Sequence, residues 1–430
     1  MKKAPFHITI GELHKRGKDT IPFEVTSNKH LVYSSPATLS YNAPGAQGFG
    51  VKRAGLTLPE SIMLVVAPGC CGRSTTILGD EGGYSQRIFH LSMSENDLIT
   101  GAHLTSIPQA INEIIHILDK KPKAVEICIT CVDALLGTDL ERVCRKATKE
   151  VGIPVIPTYM YALLREGKNA PMVDIRKSIY SLIQPTTKDL HQVNLLGYFT
   201  HLTDTCELYT LLSQIGLTTK EIGRCTTFAE YQTMGCANFN LILDKESRKA
   251  AAMMDKKFNI PYAELTRLYE RDKIENQYKL FAAALGTTFD DTSFQKEADD
   301  AIAAIRKISH NITLSIGSVV NANPFELALS LMEYGFTIKT IFSEPDKDDY
   351  TYIDRISERD PTVIVYPPLS PSMINFTKGE QVDFTIGLDA SYYYPETPNL
   401  AWNQEIQPFG YTGLRDFLLA LGKLIEGKNA

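Results

Sequence analysis

Cysteine carries the sharpest chemical signal in this 430-residue chain. Of its eight cysteines, Cys70, Cys71, Cys128, Cys131 and Cys144 fall between positions 70 and 144. Cys70 and Cys71 stand in the turn Pro68-Gly69-Cys70-Cys71-Gly72, and Cys128 and Cys131 form a C-x-x-C pair. Soft thiolates suit Zn or an Fe–S cluster. Two turns with paired thiols can converge on one metal, because neighbouring parallel strands lie only about 5 Å apart. A C-x-x-C pair in an α/β setting is also compatible with a redox dithiol. The third reading is packing, since free cysteine is among the residue types most often buried. From the residues alone all three stand open.

The elements that must position these thiols follow from hydrophobic pattern. Short apolar runs alternating with amphipathic stretches begin near residue 60, the pattern of βα units in a parallel sheet. Residues 61–67 (SIMLVVA) predict a buried strand ending in the Pro68 turn. Residues 107–118 have helical spacing, and 124–129 (AVEICI) predict a second strand with Cys128 and Cys131 at its carboxyl end. A polar-faced helix over 139–150 and a third strand from Val155 complete the first cycle. A second cycle is expected at 193–197 (VNLLG), 206–214, 238–243 and 247–257, and a third at 312–316, 324–334, 337–342, 362–366 and 384–388. We therefore expect an α/β protein with three Rossmann-like domains on parallel sheets. Their bounds are an N-terminal segment 1–59, a cysteine-bearing domain 60–165, a second domain 166–305 with helical connections, and a third, 306–430. Ligands of open α/β sheets bind at the carboxyl ends of the strands, the edge where Cys70, Cys71, Cys128 and Cys131 fall.

Several functions are excluded. A net charge of −6 leaves no electrostatic footprint for nucleic acid. No apolar run approaches the roughly 20 residues of a membrane span, and the start (MKKAPFHITI) has no apolar stretch behind its lysines. Eight cysteines are too few for a secreted disulfide scaffold, so the expected location is the cytoplasm. No G-x-G-x-x-G follows a strand, and residues 69–74 (GCCGRS) lack the lysine and spacing of a phosphate loop, so neither a nicotinamide nor an ATP site is expected. G-x-S-x-G and H-E-x-x-H are also absent. His90 and His103 flank the thiols and read as surface or packed residues rather than ligands. Tyr392, Tyr393 and Tyr394 read as core or interface, with pocket lining as the alternative. Cys144, Cys206, Cys225 and Cys236 read as structural.

Taken together and in order, several segments resemble nitrogenase component 1 and its relatives, the light-independent protochlorophyllide and chlorophyllide reductases and the nickel-sirohydrochlorin a,c-diamide reductase. The run Ala67-Pro68-Gly69-Cys70-Cys71-Gly72 is similar to the family's Gly-Pro-x-Gly-Cys-Gly, with Cys71 at the ligand position. Residues 94–102 (SENDLITGA) resemble its NExDIVFGG run, and 129–140 (ITCVDALLGTDL) its C-x4-LIGDD segment, with Cys131 as the second ligand. Residues 193–197 and 408–413 (PFGYTG) are similar to its VNLIG and P-x-GYxG elements.

There are also departures. The family's first cluster cysteine falls here near Asn42, its catalytic-cofactor cysteine near Leu243-Asp244, and its cofactor histidine within 401–407, and none of the three is present. The resemblance therefore implies no iron–molybdenum cofactor and no dinitrogen reduction. It implies an Fe–S cluster of the [4Fe–4S] type on Cys71 and Cys131, with Cys70 and Cys128 as further ligands or neighbours. Two thiolates from each subunit of a homodimer, or of a heterodimer with a paralogous subunit, would complete the four such a cluster needs. Electrons would come from a separate ATP-hydrolysing iron protein and pass to a small organic substrate. A non-catalytic scaffold for cluster or cofactor assembly is the alternative, and a metal-free α/β binding protein with packed thiols is the third reading.

Overall fold

The structure is a computed structural model and describes residues 4–26, 50–72, 83–130, 132–133, 136–159, 171–379 and 381–429. The apolar run Ser61–Ala67 is buried along its whole length, as befits a strand covered on both faces. It pairs in parallel with Ile88–Ser92 on one side and Ala124–Ile129 on the other, and Val155–Tyr159 adds a fourth parallel strand. Alternation then sorts the side chains. Ile62, Leu64, Val66, Val125, Ile127 and Ile129 face one way, onto Ile107, Ile111 and Ile114 of the helix Ala102–Ile117 and Leu140, Cys144 and Ala147 of the helix Leu140–Val151. Each such buried aliphatic side chain is worth about 1.5–3 kcal/mol. Met63, Val65, Ala67 and Cys128 point to the opposite face, into a smaller cluster with Leu56.

The second sheet orders Thr218–Lys220, Asp189–Leu196, Ala237–Ile242 and Tyr262–Glu264, all parallel. Its long strand begins at Asp189, four residues before the expected start. Residues 189–191 are exposed, and Asp189 and His191 on either side of Leu190 keep them out of the apolar run. Within the sheet the Asn194 amide donates to Met234 O and to Asn240 Oδ1, which links two buried amides between adjacent strands.

A third sheet has six strands, in the order Ile8–Thr9, Ile364–Tyr366, Thr337–Phe342, Thr313–Ile316, Phe384–Ile386 and Asn399–Leu400. All pairings are parallel except that of Ile8–Thr9, which closes one edge antiparallel to Ile364–Tyr366. Counting the described residues, the chain divides into two compact units. One lies within Met1–Ala43, Leu202–Gly216 and Arg267–Ala430, the other within Pro44–His201 and Leu217–Thr266. The helix Glu207–Gln214, expected in the second cycle, thus packs in the unit of the third sheet, against the helix Gly410–Asn429. No described helix is long and apolar enough to cross a membrane.

Candidate functional site at the carboxyl edge of the first sheet

Strand Ser61–Ala67 gives way at Pro68 to a helical turn over residues 69–72, where the Cys71 and Gly72 N–H groups both donate to Pro68 O. The turn carries Cys70 out to solvent and leaves Cys71 half-buried, with the two Sγ atoms 3.9 Å apart. Gly72 is required by its neighbour. The His90 ring lies across it, Nε2 2.9 Å from Ala67 O, and a Cβ on Gly72 would fall inside the imidazole. His90 is therefore a packing partner of the cysteine turn.

Cys128 is the penultimate residue of its strand, at the carboxyl end expected for it, and its side chain is turned inward. Cys128 sits inside Ala124–Ile129, in register with Val65 and Thr158, and is fully buried. Period-two alternation turns it into the smaller apolar cluster, where Cys71, Tyr84 and Ile88 pack against it. The structure therefore brings Cys71 and Cys128 into one cluster and sets Cys70 beside them on the exposed side. Cys131 lies outside the described residues, as does Asn42.

Two residues before Cys128, on the same face, Glu126 is fully buried. Its carboxyl accepts from Thr158 Oγ1 at 3.0 Å and Ser61 Oγ at 3.3 Å. Burial pushes its pKa up to about 7, against the pull of Thr158 and of the Arg87 guanidinium. Arg87 is itself held by Leu58 O and by the backbone and hydroxyl oxygens of Ser61. Sequence reading passed over this carboxylate, although an acidic residue inside an apolar strand is a signal in its own right.

The segments that carry the family resemblance have identifiable physical roles. In 94–102, Ser94 and Asp97 form a reciprocal capping box on the helix Glu95–Thr100, which ends at Gly101 with φ of +71°. His103, the next residue but one, is buried with Nδ1 2.9 Å from Asp97 O and Nε2 2.9 Å from Asp133 Oδ1. Thr138 Oγ1 donates to the same Asp133 oxygen. The histidine thus pins the capped helix to the segment that follows Cys131. Arg176 donates to Gly197 O, the end of VNLLG, and pairs with Glu246. At Leu243-Asp244, where the resemblance leads one to expect a cofactor cysteine, Leu243 is buried and the Asp244 carboxylate accepts from Glu246 N.

The remaining thiols lie elsewhere. Cys144 is in the core on the opposite face of the sheet, and burial pushes it up to about 12. Cys206 is buried, Cys225 is half-buried and pushed up to about 11, and Cys236 Sγ lies 3.0 Å from Thr186 Oγ1. Tyr393 and Tyr394 are core residues, with Tyr393 stacked on Phe342 at 4.0 Å, while Tyr392 is partly exposed. Among the described residues no three of His, Cys, Asp and Glu converge on a metal position.

Set against known proteins, the chain matches the family model for nitrogenase component 1 type oxidoreductases over residues 46–425. It belongs to that family. Similar relatives are the nitrogenase iron-molybdenum cofactor biosynthesis proteins NifE of Nostoc sp. (27% identical, covering 50% of this chain and 44% of the relative) and Klebsiella pneumoniae (28%, 51% and 53%). The chain spans about half the length of the curated relatives it matches. Its fold is that of the structure titled "Nitrogenase Cp1 at pH 6.5", with a TM-score of 0.70 at 17% identity over 96% of this chain and 97% of that one. The expected α/β architecture on parallel sheets and the component 1 resemblance are both borne out.

Proposed function

We propose that the chain is a component 1-type reductase subunit in the cytoplasm, holding an Fe–S cluster through Cys71 and Cys131. In this reading it relays electrons from a separate ATP-hydrolysing iron protein to a small organic substrate other than dinitrogen. The observation that carries the reading is the Cys71 turn. It presents a half-buried thiol at the carboxyl edge of a parallel sheet, within the stretch matched by the family model. The donor chemistry fits: Cys71 offers a soft thiolate beside an apolar cluster, and two thiolates from each of two chains would complete a four-thiolate site. An Fe–S cluster supplies one-electron transfer when bound. The chain's own residues would fix the Cys71 thiol in its turn and limit water around it through the apolar cluster it packs on.

A scaffold for cluster or cofactor assembly is the second reading. It is supported by relatives that are themselves cofactor biosynthesis proteins, and by the buried Leu243 and capping Asp244 at the position of the missing ligand.

The test is iron and acid-labile sulfide per chain after strictly anaerobic reconstitution, with an electron paramagnetic resonance spectrum of the dithionite-reduced protein. About two irons per chain and a signal lost in Cys71→Ser support a [4Fe–4S] cluster shared by two chains. Cys71→Ser with undiminished iron would overturn the assignment. Repeated turnover with an iron protein and a retained cluster favours the reductase, whereas transfer of the cluster to an acceptor favours the scaffold.

A further inference from the structure

Cys70 and Cys71 are adjacent in sequence, and their Sγ atoms lie 3.9 Å apart in the turn over residues 69–72. Cys70 is exposed, whereas Cys71 packs on the apolar cluster that contains Cys128. On one side of the pair Gly69 has open space, with no atom within 4 Å of where a Cβ would stand. On the other side Gly72 is held under the His90 ring. The turn thus has open space on the Cys70 side and is packed under His90 beyond Cys71.

We propose that Cys70 and Cys71 form a reversible vicinal dithiol–disulfide couple that withdraws Cys71 from ligand duty when oxidised. The second half of this statement rests on Cys71 being a cluster ligand. The oxidant is a low-molecular-weight disulfide. The exposed Cys70 thiolate attacks one of its sulfurs and expels one thiol. Cys71 Sγ then attacks Cys70 Sγ, an S–S bond forms within the turn and the second thiol leaves. Two protein thiols and one external disulfide become one protein disulfide and two external thiols, so the two electrons and two protons end on the small molecule.

Ordinary disulfides join Cα atoms 4.4–6.8 Å apart, whereas neighbours in sequence are held at 3.8 Å across a trans peptide. The vicinal bond is therefore strained, and a strained, exposed disulfide is readily reduced. That suits a reversible block and not a permanent brace.

Apoprotein is equilibrated anaerobically in glutathione buffers of increasing oxidised fraction, then split between tryptic mass spectrometry and iron reconstitution. Residues 54–73 form one tryptic peptide that carries Cys70 and Cys71 and no other cysteine. The expected result is a peptide lighter by two hydrogens, with a population following oxidised glutathione over the square of reduced glutathione, as an internal disulfide must. Wild type in that state takes up no iron until dithiothreitol is added, and across the buffer series the fraction that fails to load matches the fraction of the lighter peptide. Glutathione adducts on the peptide, a cross-link to Cys128, or undiminished iron uptake by protein carrying the lighter peptide would overturn the proposal. Reduced wild type that takes up no iron tells against the cluster reading alone, since the mass shift is read independently of iron.

Discussion

His103 Nε2 lies 2.9 Å from Asp133 Oδ1, and both side chains are withdrawn from solvent. Asp133 Oδ2 has no hydrogen-bond partner among the described residues, so this carboxyl depends on His103 and Thr138. Replacing His103 by Ala leaves a buried carboxyl with a single hydroxyl donor. The expected cost is about 2–4 kcal/mol, read as a lower urea midpoint. Iron retention should fall with it, because Asp133 follows Cys131 by two residues. An unchanged midpoint would show that the pair is dispensable.

A second dependence spans two hundred residues. Glu207 accepts from the backbone N–H groups of Tyr411 and Thr412 at the start of the helix Gly410–Asn429, and from Tyr278 Oη. A buried carboxyl at a helix N-terminus satisfies donors that have no intrahelical partner. Gly410 has φ of +62°, and a Cβ there would fall on Glu207 Oε1. Gly410→Ala combines backbone strain with collision and should cost at least about 3 kcal/mol, by chemical denaturation. A neutral result would mean that the carboxyl can move aside.

These two relationships mark what could be read in the sequence. Residues 61–67 and 124–129 were legible as strands because unbroken apolar runs have few other outcomes. Period two alone places Glu126 and Cys128 on one face, but what they face is set by residues far off in the chain, so the position of Cys128 at the strand's carboxyl end was legible and its burial was not. Strand Ile88–Ser92 is half-exposed at a sheet edge and gave no burial pattern. Ile8–Thr9 is two residues long and is defined by a partner near position 364. The helix at 206–214 was legible, while its attachment to Tyr411 and Thr412 was not, because no local periodicity encodes a contact at that separation.

Glu326 sets a pH dependence. Fully buried, it accepts from the N–H groups of Tyr269 and Glu270 and from Ser330 Oγ, yet burial still raises its pKa from 4.5 to about 7. Folding therefore favours the protonated carboxyl. Its contribution is complete below pH 4.5 and drains away as pH climbs through about 7. The total is on the order of 3 kcal/mol. Urea midpoints of wild type and Glu326→Gln should diverge across that window, with the variant gaining relative stability at pH 8. Parallel curves from pH 4 to 8 would remove Glu326 as the cause.

The contact between Gly72 and His90 links packing to the thiol turn. Because the imidazole is held by Ala67 O and lies where a Gly72 Cβ would stand, Gly72→Ala must displace either the ring or the turn that carries Cys71. Overpacking of this kind costs about 1–3 kcal/mol. If the turn moves, iron per chain after reconstitution falls as well. Adding His90→Ala to Gly72→Ala opens the space again, so the double variant should recover both stability and iron, with a coupling energy above about 1 kcal/mol. Strictly additive effects would mean that the ring is not what confines the turn. Recovery of stability without recovery of iron would mean that His90 holds Cys71 in place by more than filling space.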